Sequence, residues 1–530
     1  MNQAARVIHF GIDGGSFRVL DALASRGVMP EYARLRKEGG SAVLRSTIPW
    51  FTVPAWVTWM TGVAAERHGL IYWTAMSPRD YWERAGQARK FVTSTDVPYP
   101  TVFELLSDAG IPLVSINMPV TFPPPKVNGV MVAGFGSPPD PERAAHPPGF
   151  LRAYPEYRID LEDSVPAVLG GGRLGDQRTH ADIVSYATRL ADMAEARHRV
   201  VMDVLSGGFG LVSVVYVGAD RLSHVAWPEV RAILHKPART ETELAVESYY
   251  RTLDRVLGET RLAARGSLFL VTSYHGQGPP PDKELALNVW LHQRGWLALR
   301  GSGVRRVAHA FGSTRLRRGL WNAWRRVRNI PVGASPYVEW NRTVAYGIPM
   351  SHCRAYGVAV RGDRRFQEEI GAALLDLVDP ETDLHPVERI LFAEDLCQDG
   401  ARSRYPELVA LLHSDYGVTS KLNGQAVRKA APGVSAYHEP EGILLAAGAG
   451  VLPGEHADAS IADIAPTVLS AAGVAPPSHM DGKQLPWIVE SSPALRPPDP
   501  VIRTGVSSAV LTEEDEAIMA RHLRDLGYID

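Results

Sequence analysis

The sequence predicts an α/β protein: a mostly parallel sheet with helices on both faces and cap insertions added to it. Three observations lead there. Short apolar runs rich in β-branched residues alternate with amphipathic stretches. Each run is bounded by Gly, Pro or Asp. Scattered Asp, His and Thr residues fall where a run ends or the next helix begins, the place where an open α/β sheet gathers its ligands.

The elements follow in order. Val7–Ile12 reads as a buried strand, and Asp21–Glu38 as a helix with Leu20, Leu23, Ala24 and Leu35 turned inward. A helix near Val102–Ala109 leads into a strand at Pro112–Asn117, followed by one at Val130–Ala133. Leu211–Val217, Leu268–Thr272 and Ile443–Ala447 complete the set of strands. Two regions interrupt the rhythm and read as insertions, one over 137–205 and one over 297–430. The core is then 1–136, 206–296 and 431–489, and 490–530 is a linker with a C-terminal helix. Thr512 is a natural N-cap for that helix, with Asp515 three residues on.

Composition bounds the partners. A chain of 530 residues exceeds one ordinary core, so a large domain with insertions or two domains is expected. Hydrophobic content of 45% and charged content of 22% are those of a globular protein. A net charge of −2 gives no electrostatic case for nucleic acid. Cys353 and Cys397 are the only cysteines, which excludes a disulfide framework and fits a reducing compartment. Met1–Arg6 leads straight into the first strand, and no run nears the roughly 18 apolar residues of a membrane span, so a cytoplasmic protein is expected. The segment 304–328 stands apart, with eight Arg, no acid, and Trp321 and Trp324 among them. An anionic substrate, the lipid headgroups of a membrane surface or nucleic acid fits it. A solvated cap helix whose Arg stems cover apolar surface is the plainer reading.

The candidate chemistry lies at the strand tips. Asp13 ends the first strand between glycines, as a turn residue or a metal ligand. Thr52 precedes Val53 and Pro54 at a helix start, as a simple N-cap or as a nucleophile stabilised by the helix dipole. Asp220 and His224 have the i, i+4 spacing that places both on one helix face, able to share a metal. His275 follows the Leu268–Thr272 run, and His438 precedes another strand.

Taken together, these segments resemble the alkaline phosphatase superfamily, in its type I phosphodiesterase/nucleotide pyrophosphatase branch. Val7–Asp13 resembles the family's opening strand and metal Asp, and Leu44–Pro49 with Thr52–Trp56, Thr61-Gly62 and His68-Gly69 resembles its nucleophile segment. Asn117–Pro124, Val127–Val132, Asn288–Gly295, His438–Gly442, Asp463–Thr467, Met480–Lys483 and Leu526–Ile529 extend the likeness over most of the chain. The resemblance implies an alkaline-phosphatase-like core and one or two divalent ions, most often zinc, with manganese or iron as alternatives. It places Asp220, His224 and His438 on one ion, and Asp13, Thr52 and His275 on the other. Thr52 would be the nucleophile on a small-molecule phosphoester, passing through a phospho-threonine. The family's remaining Asp falls on Tyr274, a neutral phenol with an ordinary pKa near 10. The second ion would then be held weakly or not at all, or Tyr274 or Asp282 would complete its site. The alternative is a catalytically altered or inactive member that acts as a binding or scaffold protein.

Overall fold

The computed structural model describes residues 6–75, 82, 90–161, 179–300, 337–350, 352–397, 405–430, 435–488, 495 and 511–525. The chain divides into two units: residues 1–68, 92–280 and 431–530 form the first, and 69–91 with 281–430 the second.

The first unit is built on a ten-stranded mixed sheet. Its middle is Leu268–Thr272, Val7–Ile12, Leu211–Tyr216, Leu113–Met118 and Gly129–Ala133, all parallel. These strands are almost wholly buried, as their unbroken apolar runs require of a sheet covered on both faces. Beyond Leu268–Thr272 lies Glu441–Ala447, antiparallel to it and to Gly40–Arg45. Two reversals make Gly40–Arg45 parallel to the centre again. The carboxyl tips of the parallel strands therefore share one edge with the amino tip of Glu441–Ala447, and Asp13, Thr52, Asp220, His224, Tyr274, His275 and His438 lie in segments entering or leaving that edge.

The helix expected over Asp21–Glu38 is two helices, Phe17–Ser25 and Pro30–Glu38. Gly27 takes a left-handed φ of 71° between them, and Pro30 opens the second, where its missing N–H costs nothing. Leu20, Leu23 and Leu35 are buried as expected, whereas Ala24 is only partly so. The long helices His180–Leu205 and Glu241–Ala263 pack together and open with capping boxes at Thr179 and Thr240. Thr512 and Asp515 form the same reciprocal pair at the start of Glu513–Asp525. Asp515 also accepts two hydrogen bonds from Arg143, at 2.9 and 2.7 Å, which docks that last helix on the unit.

The second unit holds a four-stranded antiparallel sheet in the order Ala345–Met350, Ala355–Val360, Leu408–Leu412, Val387–Phe392. Leu287, Trp290, Tyr356 and Ile370 belong to its own core. No described helix is long and apolar enough to cross a membrane. The basic segment 304–328 lies outside the described residues.

Candidate metal and nucleophile centre

Asp13 sits one residue past the first strand. Its N–H bonds the Tyr216 carbonyl at 2.9 Å, and its own carbonyl accepts the Asp220 N–H at 3.1 Å. Gly14 makes this approach possible: its φ is 72°, and a Cβ there would lie 2.8 Å from Gln277 Nε2 and 2.9 Å from the Asp220 Cα. Asp220 and His224 stand on the helix Gly218–His235, and His224 Nε2 lies 3.2 Å from Asp220 Oδ1. The helix is kinked at Ala226, just past His224, with Pro228 following inside it.

His275 and His438 meet through a two-stranded ribbon. Gly276–Gly278 pairs antiparallel with Tyr437–Glu439, with Gln277 opposite His438. The His275 and His438 rings stack at 3.6 Å between centroids. The Trp50 indole donates to the His438 backbone carbonyl at 2.9 Å.

Two ligand groups result, Asp220 with His224 and His438, and Asp13 with Asp220 and His275, all buried. Asp220 Oδ1 is common to both: it lies 3.4 Å from His438 Nε2 and 3.8 Å from His275 Nε2. His275 Nε2 lies 3.6 Å from Asp13 Oδ1. The His275 Nδ1 donates to the Gly276 carbonyl at 2.9 Å, which leaves the Nε2 lone pair facing the carboxylates. Neither Asp13 oxygen nor His275 Nε2 has a well-aligned hydrogen-bond partner among the described residues, although all three atoms are buried and the Tyr274 hydroxyl comes near enough to Asp13 to stabilise its charged form in part. Buried polar atoms left so cost about 1–3 kcal/mol each. A divalent cation would satisfy all of them, and this oxygen-and-imidazole donor set suits one.

The imidazoles favour the form a metal needs, whereas Asp13 would give up a proton on binding one. Burial, and then the Asp220 charge, pushes the Asp13 carboxyl well above the usual carboxylate range; the nearby Arg221 and Tyr274 pull the other way and do not prevail. Burial alone would raise Asp220 too, but the His224 and His438 imidazoles outweigh it and hold that carboxyl well below. Burial, with the neighbouring His438, drives His275 well below its ordinary value, and burial lowers His438. Burial thus favours the neutral form of both rings, the form that can donate a lone pair to a metal.

Thr52 opens the helix Thr52–Thr61 at its first position, with Phe51 as the N-cap and no side-chain cap hydrogen bond. Phe51 has no side-chain acceptor to cap with, and the Thr52 hydroxyl one position on is engaged elsewhere. It pairs instead with the Tyr274 hydroxyl at 2.9 Å, and both groups are buried. The Tyr274 ring lies edge-on to His275 at 4.2 Å and against Trp56 at 5.0 Å. Tyr274 thus stands between the threonine and the second ligand group. Asp282 does not join either group: it is exposed and lies in the second unit.

Three residues that sequence reasoning passed over also hold the centre. Gln277 Nε2 donates to Asp220 Oδ1 at 2.6 Å. Arg221 donates to Asp220 Oδ2 at 2.8 Å and to Asp160 Oδ2 at 2.9 and 3.1 Å. The signal for Gln277 was the strand alternation that returns it to the face of His275 two residues on. Arg221 sat beside Asp220 in plain view, but Asp160 carried no local pattern.

Compared with known proteins, the chain matches the family described as type I phosphodiesterase / nucleotide pyrophosphatase over residues 7–435. The chain belongs to this family. It is accordingly a phosphodiesterase/phosphatase-type hydrolase of the alkaline phosphatase superfamily, a class that depends on metal. Among solved structures, the phosphonoacetate hydrolase of Sinorhizobium meliloti 1021, in complex with phosphonoacetate, is similar with a TM-score of 0.52 at 16% identity, covering 89% of this chain and 96% of that one. Human ectonucleotide pyrophosphatase/phosphodiesterase 5 is similar with a TM-score of 0.49 at 11% identity, covering 91% of this chain and 98% of that one. The first likeness agrees with the mixed α/β fold described above. No curated protein matches the chain by sequence.

Proposed function

We propose that this family member hydrolyses a small phosphoester through Thr52, with its metal held by Asp220, His224 and His438, and by Asp13 and His275. The single observation that carries the reading is the placement of the Thr52 hydroxyl. It lies at a helix N-terminus, takes no part in capping, and hydrogen-bonds a group packed on the His275 ring. The dipole of that helix favours negative charge at Thr52, both as the proton leaves its hydroxyl and when phosphoryl oxygens arrive.

The chemistry follows in two displacements. The Thr52 oxygen attacks phosphorus as the ester oxygen departs with its electron pair, and the hydroxyl proton passes through solvent to that oxygen, leaving a phospho-threonine and the free alcohol. Water then attacks the same phosphorus, the Thr52–phosphorus bond breaks, and the hydroxyl is restored. A bound divalent ion supplies Lewis-acid stabilisation of charge on the phosphoryl oxygens. The Tyr274 hydroxyl orients the Thr52 oxygen, and the packed indole of Trp56 keeps bulk water from that contact.

The departure at Tyr274 bears on how many ions are held. A phenol brings less charge than a carboxylate, so the Asp13–His275 group binds its ion more weakly than the Asp220–His224–His438 group binds its own. Zinc is the proposed ion. A cytoplasmic location is proposed on the two-cysteine composition alone.

The test is a pair of assays, bis-p-nitrophenyl phosphate and p-nitrophenyl phosphate, with and without chelator, alongside elemental analysis. Chelator-sensitive turnover that disappears in Thr52→Ala is expected. Metal-free protein that stays inactive after zinc or manganese is added would instead establish the non-catalytic, binding descendant.

A further inference from the structure

Arg221 is one of the largest fully buried side chains of the protein, and nothing in the proposed chemistry uses it. Its guanidinium spans two buried carboxylates. One nitrogen donates to Asp220 Oδ2 at 2.8 Å, and two others donate to Asp160 Oδ2 at 2.9 and 3.1 Å. The Phe135 ring lies under the guanidinium carbon, 3.9 Å from its centroid. Asp160 is itself fixed: its Oδ1 accepts the Leu161 N–H at 2.9 Å. The backbone before it is pinned by Arg197, which donates to the Arg158 and Ile159 carbonyls at 3.1 and 2.9 Å, and to the Val215 carbonyl at 3.0 Å. The chain of contacts thus begins at the strand that delivers Asp220 and returns to Asp220.

We infer that Arg221, braced by Asp160, is a positioning residue that fixes Asp220 as a one-oxygen metal ligand. With Oδ2 held by Arg221, only Oδ1 faces the three imidazoles. Oδ1 also accepts the Gln277 amide at 2.6 Å, so both oxygens have assigned partners and the carboxylate cannot rotate to chelate an ion through both. Asp220 is the one residue common to the two ligand groups, so its orientation governs both halves of the centre. A lysine cannot do the same work. It offers a point charge on a flexible stem, where arginine offers a planar fork that engages two carboxylates at once. This inference rests on the metal reading given above.

The experiment compares wild type with Arg221→Met, Arg221→Lys and Asp160→Asn, each loaded with Co(II) and followed by visible absorption, with zinc affinity measured by competition. Circular dichroism reports folding. If Arg221→Met fails to fold, Arg221→Lys and Asp160→Asn decide the matter. Loss of an outer partner of a metal ligand lowers affinity about 10–100-fold. Arg221→Met is expected to show that loss, with a Co(II) spectrum shifted toward the weaker absorption of higher coordination as Asp220 binds through both oxygens. Arg221→Lys is expected to recover part of it, and Asp160→Asn to show a smaller loss of the same sign. Folded variants with wild-type affinity and spectrum would overturn the inference while leaving the metal reading intact. A wild-type protein that takes up neither cobalt nor zinc would overturn the metal reading, and this inference with it.

Discussion

The two halves of the centre share an oxygen and differ in how their remaining atoms are satisfied. In the Asp220–His224–His438 half the groups hold one another. His224 Nδ1 lies 3.0 Å from Ser435 Oγ, Asp220 Oδ2 is held by Arg221, and two imidazoles surround Oδ1. In the Asp13–His275 half, two carboxylate oxygens and one ring nitrogen are buried with no well-aligned partner, beside a neutral phenol. The first half is preorganised by protein contacts. The second depends on what binds there, and its carboxyl is correspondingly pushed toward the protonated form by burial and the Asp220 charge. The same fold edge thus presents one rigid ligand set and one that is only completed by a cation.

Breaking the threonine should have the largest effect on catalysis. Thr52→Ala is expected to lower kcat by about a thousandfold or more, as removal of a nucleophile does, whereas Thr52→Ser keeps a hydroxyl and much of the rate. Thr52→Ser, which keeps the oxygen, should match wild type in metal content, whereas Thr52→Ala should keep the ion of the Asp220–His224–His438 group, which elemental analysis checks. A single ligand change in the rigid half, His224→Ala, should remove the ion bound there and abolish chelator-sensitive turnover. Metal content that stays unchanged in this variant would break the comparison.

Tyr274 sharpens it. Tyr274→Asp restores a carboxylate to the second half and should raise metal uptake there, read by zinc titration. An unaltered stoichiometry and affinity would contradict the placement of Tyr274 at that half. Tyr274→Phe removes only the hydroxyl bonded to Thr52. A hydrogen bond of net worth about 0.5–1.5 kcal/mol predicts a loss in kcat of roughly tenfold or less, with metal content unchanged.

How much of this was legible follows from where the information lies. The central strands were readable because strands buried on both faces must be continuous apolar runs, and Val7–Ile12 and Leu268–Thr272 match their expected limits to the residue. Asp13, Asp220, His224, His275 and His438 were readable as candidates because they stand at the tips of those runs. The break between Phe17–Ser25 and Pro30–Glu38 is invisible to apolar periodicity, which runs on through Gly27 and Pro30; only those two residues, as turn and start signals, mark it. Asp160 was missed for another reason. It lies in a Pro-rich irregular stretch, 61 positions before Arg221, and no local period reports a pairing made only in three dimensions. The Thr52–Tyr274 contact, across 222 positions, is of the same kind.

The smallest expected effect concerns the strand that lies between the two halves. His9 bridges Ser213 on the strand leading to Asp220 and Thr272 on the strand leading to His275, at 2.8 Å each. Burial pushes its pKa from 6.5 down to about 3. The unfolded chain therefore takes up a proton that the folded protein refuses between those values, so His9 makes stability fall as the pH falls from about 6.5 toward 3. The slope it contributes is at most about 1.4 kcal/mol per pH unit. Melting curves across that range should be less acid-sensitive in His9→Gln than in wild type. Equal pH slopes in the two proteins would remove His9 from the account.

The most direct measurement of the central claim is acid quench of the enzyme during turnover of a chromogenic phosphoester, followed by peptide mass spectrometry. The account predicts a phosphoryl group on the peptide containing Thr52, dependent on added divalent metal and absent from Thr52→Ala. Undiminished turnover in Thr52→Ala, or a phosphoryl group trapped on a different residue, would contradict it.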